Sequence, residues 1–326
     1  MINSRISGIG SYVPKRLLTN SDLTEMVDTS DEWIVSRTGI KERHICAKNE
    51  ATSDMAVAAG QEAMEMAGVK PEEIDFLITG TVTPDYRCPS ASCIIQQKLG
   101  LINAGVMDLV AACAGFLHGL ATADAFIKIN KYKKIMVIGV EKLSSITDYT
   151  DRNTCVLFGD GAGAAIIEPT EDDSGILATF LKSDGRHAEL LWIPDGGSAA
   201  PIQDLANPKK SIYLKMNGKE VFKHAVREMS NASLRVLDEA GVKKEDLKLM
   251  VVHQANIRII DATAKRLGIP KEKVFLNIAR YGNTSAASVP IALDEAVRKG
   301  RIEKGDLVLM AAFGGGLTWA AALIKW

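Results

Sequence analysis

The chain has almost no excess charge, no paired cysteines and no long apolar run, and each absence removes a class of function. With 39 Lys and Arg against 40 Asp and Glu, the net charge of −1 argues against a nucleic-acid binder that works by bulk charge. Five cysteines, Cys46, Cys88, Cys93, Cys113 and Cys155, are odd in number and never form a C-x-x-C pair. Neither a disulfide framework nor a zinc site is indicated, and a reducing cytoplasm fits. No apolar run reaches the roughly 18 residues of a membrane span, and MINSRISGIGSYVPKRLL lacks the charged-then-apolar pattern of an export signal. The expectation is a soluble, cytoplasmic protein with no membrane, nucleic-acid or metal partner. There is no G-x-x-x-x-G-K-[ST] phosphate loop and no H-E-x-x-H pair. FGDGAGAAIIEP contains G-x-G-x-x-A, but a short apolar run closed by Pro169 follows it instead of a helix. It reads as a strand-flanking turn, not a dinucleotide loop.

What is present is an ordinary globular chain of 326 residues, 47% hydrophobic and 24% charged, long enough for about two domains. It carries an internal echo. AGVKPEEIDFLITGTVTPDY from Ala67 matches AGVKKEDLKLMVVHQANIRI from Ala240, each a glycine-closed helix end, an acidic turn and a buried apolar strand. KLGL at Lys98 answers RLGI at Arg266, the strand running to Cys113 answers VFLNIARYGN ending at Asn283, and KIMVIGVE from Lys134 answers DLVLMAAF from Asp306. The repeated order implies a duplicated α/β fold with apolar strands covered by helices on both faces, divided into halves 1–170 and 171–326. Helices are expected over 53–67, with Ser53 as N-cap, over 220–240, and from about Ser285, where Pro290 falls in the first turns. Residues 184–210, rich in Gly, Pro, Ala and Asp, read as a long loop over a site.

The echo brings three polar strand ends together. In DLVAACAGF, Cys113 stands between an apolar strand and a helix start, where the macrodipole and free N–H groups lower a thiol's pKa. His253 follows the strand LMVV, and Asn283 closes VFLNIARYGN. A cysteine, an imidazole and an amide in one pocket make a nucleophile with hydrogen-bond donors. Each also has a plainer reading: a small core thiol, a structural histidine, a helix N-cap. The glycines Gly314 to Gly316 after a strand offer an oxyanion N–H or simply a tight turn. His44, His118, His187 and His224 read as structural or solvated.

These residues resemble a family. AACAGF at Ala111, HQAN at His253, GNTSAAS at Gly282 and FGGGLTW at Phe313, with DEWIVSRTGIKER from Asp31 and the GDGAGA turn, are similar to β-ketoacyl-acyl-carrier-protein synthase III, the initiating condensing enzyme of bacterial fatty-acid synthesis. The resemblance spans essentially the whole chain. It implies a thiolase-like α/β fold, duplicated and five-layered (αβαβα). Elongating synthases use two histidines and thiolases a second cysteine, so Asn283 favours the initiating type. The resemblance implies an acyl-CoA primer, acetyl-CoA foremost, transferred to Cys113, then decarboxylative condensation with malonyl-acyl-carrier protein. His253 and Asn283 would serve the malonyl carbonyl, and the N–H groups of Cys113 and Gly315 the oxyanion.

Further roles are carried over by motif. Trp33, Arg37 and Arg152 match the clamp on the CoA adenine and phosphates. Thr29, Met216, Gly218, Phe222, Ala255 and Asn256 match the pantetheine tunnel. Lys223, Arg258, Lys265 and Arg266 are candidates for docking an acidic carrier protein. Cys88 stands where the family often has a phenylalanine that floors a dimer partner's acyl pocket. No cofactor is expected beyond the CoA and carrier-protein thioesters as substrates, and a homodimer is expected. The alternatives are a related acyltransferase of secondary metabolism and a non-catalytic acyl-carrier-binding partner.

Overall fold

The computed structural model describes residues 3–202 and 211–326. Its first sheet has the spatial order β1 (Asn3–Tyr12), β7 (Gly161–Thr170), β6 (Ile135–Glu141), β4 (Phe76–Gly80), β5 (Gly105–Leu109). β4 pairs in parallel with β5 and β6, and β7 runs antiparallel to β6 and β1. The second sheet repeats the scheme as β8 (Gly175–Ser183), β13 (Thr318–Lys325), β12 (Leu307–Gly314), β11 (Leu249–Val252), with β11 and β12 parallel and the outer pairs antiparallel. Two small ribbons, β2 (Arg16–Thr19) with β3 (Glu42–Ile45) and β9 (Leu191–Trp192) with β10 (Lys215–Met216), lie outside the sheets.

Helices complete five layers, the duplicated αβαβα arrangement. α3 (Thr52–Ala67) and α4 (Ala91–Leu99) cover the outer face of the first sheet, α7 (Gly218–Ala240) and α8 (Ile257–Leu267) that of the second. Between the sheets lie α5 (Gly115–Lys128) and α10 (Ser288–Arg298), whose Phe116, Leu120, Val289 and Leu293 share one core with Val137 and Ala165 of the first sheet and Val251 and Met310 of the second. The short helices α1 (Asn20–Thr24), α2 (Asp31–Thr38), α6 (Arg152–Cys155) and α9 (Ile278–Tyr281) sit in connecting segments. Strands covered on both faces by helices must be apolar throughout, which is why β6 is buried along its whole length. Among the described residues no helix is long and apolar enough to cross a membrane.

Several expectations are corrected. Ser53 does not cap α3: the N-cap is Ala51, whose N–H is taken by Asp54, while Ser53 bonds Asp85. GDGAGA flanks a strand only at Gly159 and Asp160: Gly161 and Gly163 lie in β7 itself, and Asp160 is a buried acceptor for Cys46 and Ser144. The strand before Cys113 is not buried. β5 ends at Leu109 on the sheet edge, half-buried, and Val110 is 79% exposed. VFLNIARYGN does not form a strand ending at Asn283. It bridges Met250 at Val274, turns into α9, and bridges Phe158 of the first half at Asn283. The expected loop 184–210 starts with a short 3₁₀ turn and β9, and its residues 203–210 lie outside the described ones.

The halves meet through the shared core and, at Gly139, through bare backbone as well. A Cβ on Gly139 of β6 would lie 2.8 Å from the Ala286 carbonyl carbon and 3.1 Å from the Phe116 Cβ, so only glycine lets the segment before α10 rest on β6. Backbone cannot swing aside as a side-chain tip can. Gly139→Ala is therefore expected to destabilise the protein by about 1–3 kcal/mol, the usual cost of overpacking, and to lower the urea midpoint. An unchanged midpoint would mean that this contact is loose.

Candidate active site

Cys113 sits in a 3₁₀ turn, Ala112–Ala114, that leads into α5. Ala112 before it has φ +44, a left-handed conformation uncommon outside glycine, which bends the chain sharply out of the sheet. A Cβ on Gly314, the last residue of β12, would come within 2.5 Å of the Cys113 nitrogen. That glycine is what allows the second half to close against the Cys113 backbone. The expected depressed thiol pKa is not what the site produces. Burial pushes the Cys113 thiol up to about 12, the buried Glu141 pushes it the same way, and a hydrogen bond from Ser285 opposes them. Helix-end dipoles are worth little against desolvation of this size.

His253 follows β11, buried, with Nδ1 2.6 Å from the Ser288 hydroxyl. Among the described residues Nδ1 is the acceptor that hydroxyl proton finds, so the ring proton lies on Nε2. Burial holds the ring neutral, its pKa lowered to about 3. Asn283 is gripped by the other half: its N–H donates to the Leu157 carbonyl at 2.8 Å and its carbonyl accepts from Gly159 at 3.0 Å. Its side-chain Oδ1 accepts from the Ser285 N–H at 2.9 Å, which leaves the NH₂ as a donor.

Cys113, His253 and Asn283 all line one cavity of about 980 Å³, together with Gly315. Trp33, Arg37, Met216, Gly218, Phe222, Ala255, Asn256 and Arg258 line it too. Thr29 and Arg152 do not, although the Arg152 guanidinium lies 4.7 Å and that of Arg37 4.9 Å from the Trp33 ring. Lys223, paired with Glu220 on α7, and Lys265 and Arg266 at the end of α8 are exposed and outside the lining. Cys88 is exposed and does not reach this chain's own cavity. Among the described residues no cluster of His, Cys, Asp or Glu could hold a metal.

Known proteins share both the sequence and the fold. A family profile for 3-oxoacyl-(acyl-carrier-protein) synthase III matches residues 107–185, and that for its C-terminal part matches 237–326. The β-ketoacyl-(acyl-carrier-protein) synthase III of Caldanaerobacter subterraneus is 51% identical over 325 residues, covering 100% of this chain and 98% of that protein. The chain belongs to the β-ketoacyl-acyl-carrier-protein synthase III family. It is thus an acyltransferase of the condensing-enzyme type with the thiolase-like fold. The synthase III crystal structure from Aquifex aeolicus superimposes with a TM-score of 0.93 at 50% identity, covering 99% of this chain and 100% of that one. A priming β-ketosynthase of a polyketide pathway does so with a TM-score of 0.94 at 38% identity, covering 99% and 96%.

For a synthase III chain, motif reading missed Ser285, Ser288 and Glu141. The first two lie inside GNTSAASVP, a stretch legible as small residues but not as hydrogen-bond partners. Glu141 ends a uniformly apolar strand, and a carboxylate in that setting was the available signal.

The neutral His253 has a consequence for acid stability. An unfolded histidine titrates near 6.5 and the folded one near 3. As pH falls through this window the unfolded state binds a proton that the folded state refuses, so stability is lost with acid. His253→Asn removes that increment. The difference in urea midpoint between wild type and variant should shrink as pH falls below about 6.5, and a constant difference would mean that the ring titrates normally.

Proposed function

We propose that the chain condenses an acyl-CoA primer, acetyl-CoA foremost, with malonyl-acyl-carrier protein through an acyl-Cys113 intermediate, yielding a β-ketoacyl-carrier protein, carbon dioxide and free CoA, and so starts fatty-acid synthesis. The observation that carries the reading is the convergence of Cys113, His253 and Asn283 on one cavity also lined by Trp33 and Arg37. In the first half-reaction the Cys113 sulfur attacks the primer thioester, and the backbone N–H groups of Cys113 and Gly315 hold the oxyanion. In the second, the His253 Nε2–H and the Asn283 NH₂ donate to the malonyl thioester carbonyl as carbon dioxide leaves and the carbonyl becomes enolate-like. Two neutral donors in a desolvated site stabilise that developing charge without a metal. The carbanion then attacks the acyl group, and Cys113 departs as thiolate. The net proton consumed by decarboxylation reprotonates it.

The primer's nucleotide end is assigned to Trp33, Arg37 and Arg152. Two guanidiniums already lie by the ring, so adenine stacking requires one to leave the ring face. Its freed planar fork then suits a phosphate. Thr29, whose hydroxyl is buried without a partner, and Met216, Gly218 and Phe222 are assigned to the pantetheine arm, with Ala255 and Asn256. Arg258, exposed in the first turn of α8 and lining the cavity, is the leading carrier-protein contact, with Lys223, Lys265 and Arg266 behind it.

The edge strand β5 presents an unpaired row of backbone groups beside exposed Val110 and Ile102, the kind of edge that pairs with another chain. This supports a homodimer. The Cys88 role rests on that dimer, since Cys88 would act in the partner's acyl pocket. Its small side chain leaves volume for longer or branched primers. Five free cysteines support a cytoplasmic setting, and the repeated sheet order supports halves divided near residue 170. The polyketide priming synthase among the similar structures keeps a secondary-metabolic role as the second reading, and the intact Cys-His-Asn set argues against a non-catalytic binder.

The test is to incubate the protein with a panel of acyl-CoAs, find which acylate Cys113 by intact mass, and then add malonyl-carrier protein. Acetyl transfer followed by ketoacyl product supports the fatty-acid role, and selectivity for other primers supports the second reading. Cys113→Ser should form no acyl-enzyme, whereas Asn283→Ala should acylate nearly as wild type and lose on the order of 10²- to 10³-fold in condensation. Stoichiometric acylation of Cys113→Ser at the wild-type rate would sink the mechanism. Arg258→Glu should raise KM for the carrier protein far more than for acyl-CoA, with added salt weakening the wild-type interaction. Equal changes in both KM values would put Arg258 on the shared tunnel instead.

A further inference from the structure

Arg43, in β3, is the largest fully buried side chain among the described residues. Burial lowers its pKa to about 10, so it stays a cation at neutral pH. Its hydrogen-bond partners are neutral acceptors. Nη1 donates to the Leu18 carbonyl at 3.1 Å and to Asn20 Oδ1 at 2.9 Å, Nη2 donates to the Val156 carbonyl at 2.7 Å, and Nε has no partner among the described residues. A cation buried in this way is unfavourable, and an apolar side chain of similar length would fill the space with less penalty. What the guanidinium adds is direction, because its donors lie in a rigid planar fork.

The fork points at the segment that holds Asn283. Val156 closes α6, and the next carbonyl, that of Leu157, accepts the Asn283 N–H at 2.8 Å. The Gly159 N–H donates to the Asn283 carbonyl at 3.0 Å, and between these two bonds Phe158 and Asn283 form a parallel bridge. The stem of Arg43 runs along the same junction: its Cβ would lie 3.1 Å from a Cβ on Gly159 and 3.2 Å from one on Gly282. β3 also holds the far end of the segment, since the His44 carbonyl accepts the Asp160 N–H at 2.8 Å. Removing the guanidinium leaves Asp160 anchored and frees the Val156 end, next to the carbonyl that grips Asn283. It also strips the Val156 carbonyl of this donor.

We propose that Arg43 is a positioning residue for the condensation half-reaction, setting through Val156 and Leu157 where the Asn283 amide stands against the malonyl carbonyl. The inference rests on the role assigned to Asn283 above. Arg43 does not line the cavity, and Cys113 is held by other elements, the turn into α5 and Gly314 of β12. The guanidinium therefore acts on the second half-reaction and leaves the first nearly untouched.

The test uses Arg43→Met and Arg43→Lys, each alone and combined with Asn283→Ala. Methionine keeps an apolar stem without the fork, and lysine keeps the charge without the fork's fixed geometry. Acetyl transfer to Cys113 is followed by rapid quench and intact mass, and condensation is followed separately from enzyme already acetylated on Cys113. Expected are acylation close to the wild-type rate and a condensation kcat lower by about 10²-fold, the effect of misplacing a reacting group by about 1 Å, with KM for malonyl-carrier protein little changed. The double variants separate positioning from mere stability. In the Asn283→Ala background the Arg43 substitutions should slow condensation no further, because a residue that acts through Asn283 has nothing left to position. Asn20→Ala, which removes an acceptor that aims the fork, should show the same pattern in smaller measure and decides the matter if the Arg43 variants fail to fold. If Asn283→Ala condenses as fast as wild type, the parent reading fails and this one with it. If Asn283→Ala is slow, the positioning role is overturned by folded variants that condense at the wild-type rate, that lose both half-reactions equally, or that slow Asn283→Ala by the same factor as they slow wild type.

Discussion

The site depends on one steric constraint, the resting of the backbone before α10 on the bare face of Gly139 in β6. That contact fixes the height of the second half over the first. With it are set Asn283, gripped by residues 157–159, and Ser285, whose hydroxyl donates to Glu141. Gly314 against the Cys113 nitrogen repeats the device from the other sheet. The two halves thus contribute residues to a common cavity because at Gly139 and Gly314 glycine lets the chains approach without a Cβ between them. Protein interiors are packed densely enough that one methyl group there would be felt.

Close packing also governs the electrostatics. A cavity walled by apolar residues disfavours every charge within it, so the resting site holds a neutral imidazole and a protonated thiol, with its one carboxylate set behind the wall and satisfied by hydroxyl and amide donors. This suits the proposed reaction, whose charge would be supplied by the substrate and develop during decarboxylation. Fixed neutral dipoles stabilise such a charge without first having to be desolvated. Strain is confined to the same places: Ala112 and Ser285, two of the three non-glycine residues with positive φ among those described, flank Cys113 and Asn283.

Much of this was legible from residues alone. The echo of AGV phrases and apolar strands gave the duplicated architecture, because strands covered on both faces must be apolar and helix ends need glycine, and both marks survive in sequence. The cavity residues Cys113, His253 and Asn283 were legible as polar groups after apolar runs. Less visible was how Asn283 arrives. Reasoning by analogy between the halves made it a strand end, whereas the segment forms only isolated bridges and Asn283 is bonded by the opposite half, a long-range contact that local pattern does not encode.

The sequence by itself determined the family and the duplicated α/β order of strands and helices, since these follow from motifs and from apolar periodicity. Tertiary structure decided the protonation states and the partners. A thiol at a helix start reads as acidified, yet desolvation, which depends on everything packed around it, drives Cys113 the other way. Glu141 reads as the end of a strand, and only the fold buries it against the hydroxyls of Thr81, Thr83 and Ser285, because burial and hydrogen-bond geometry are properties of the packed chain and not of its order.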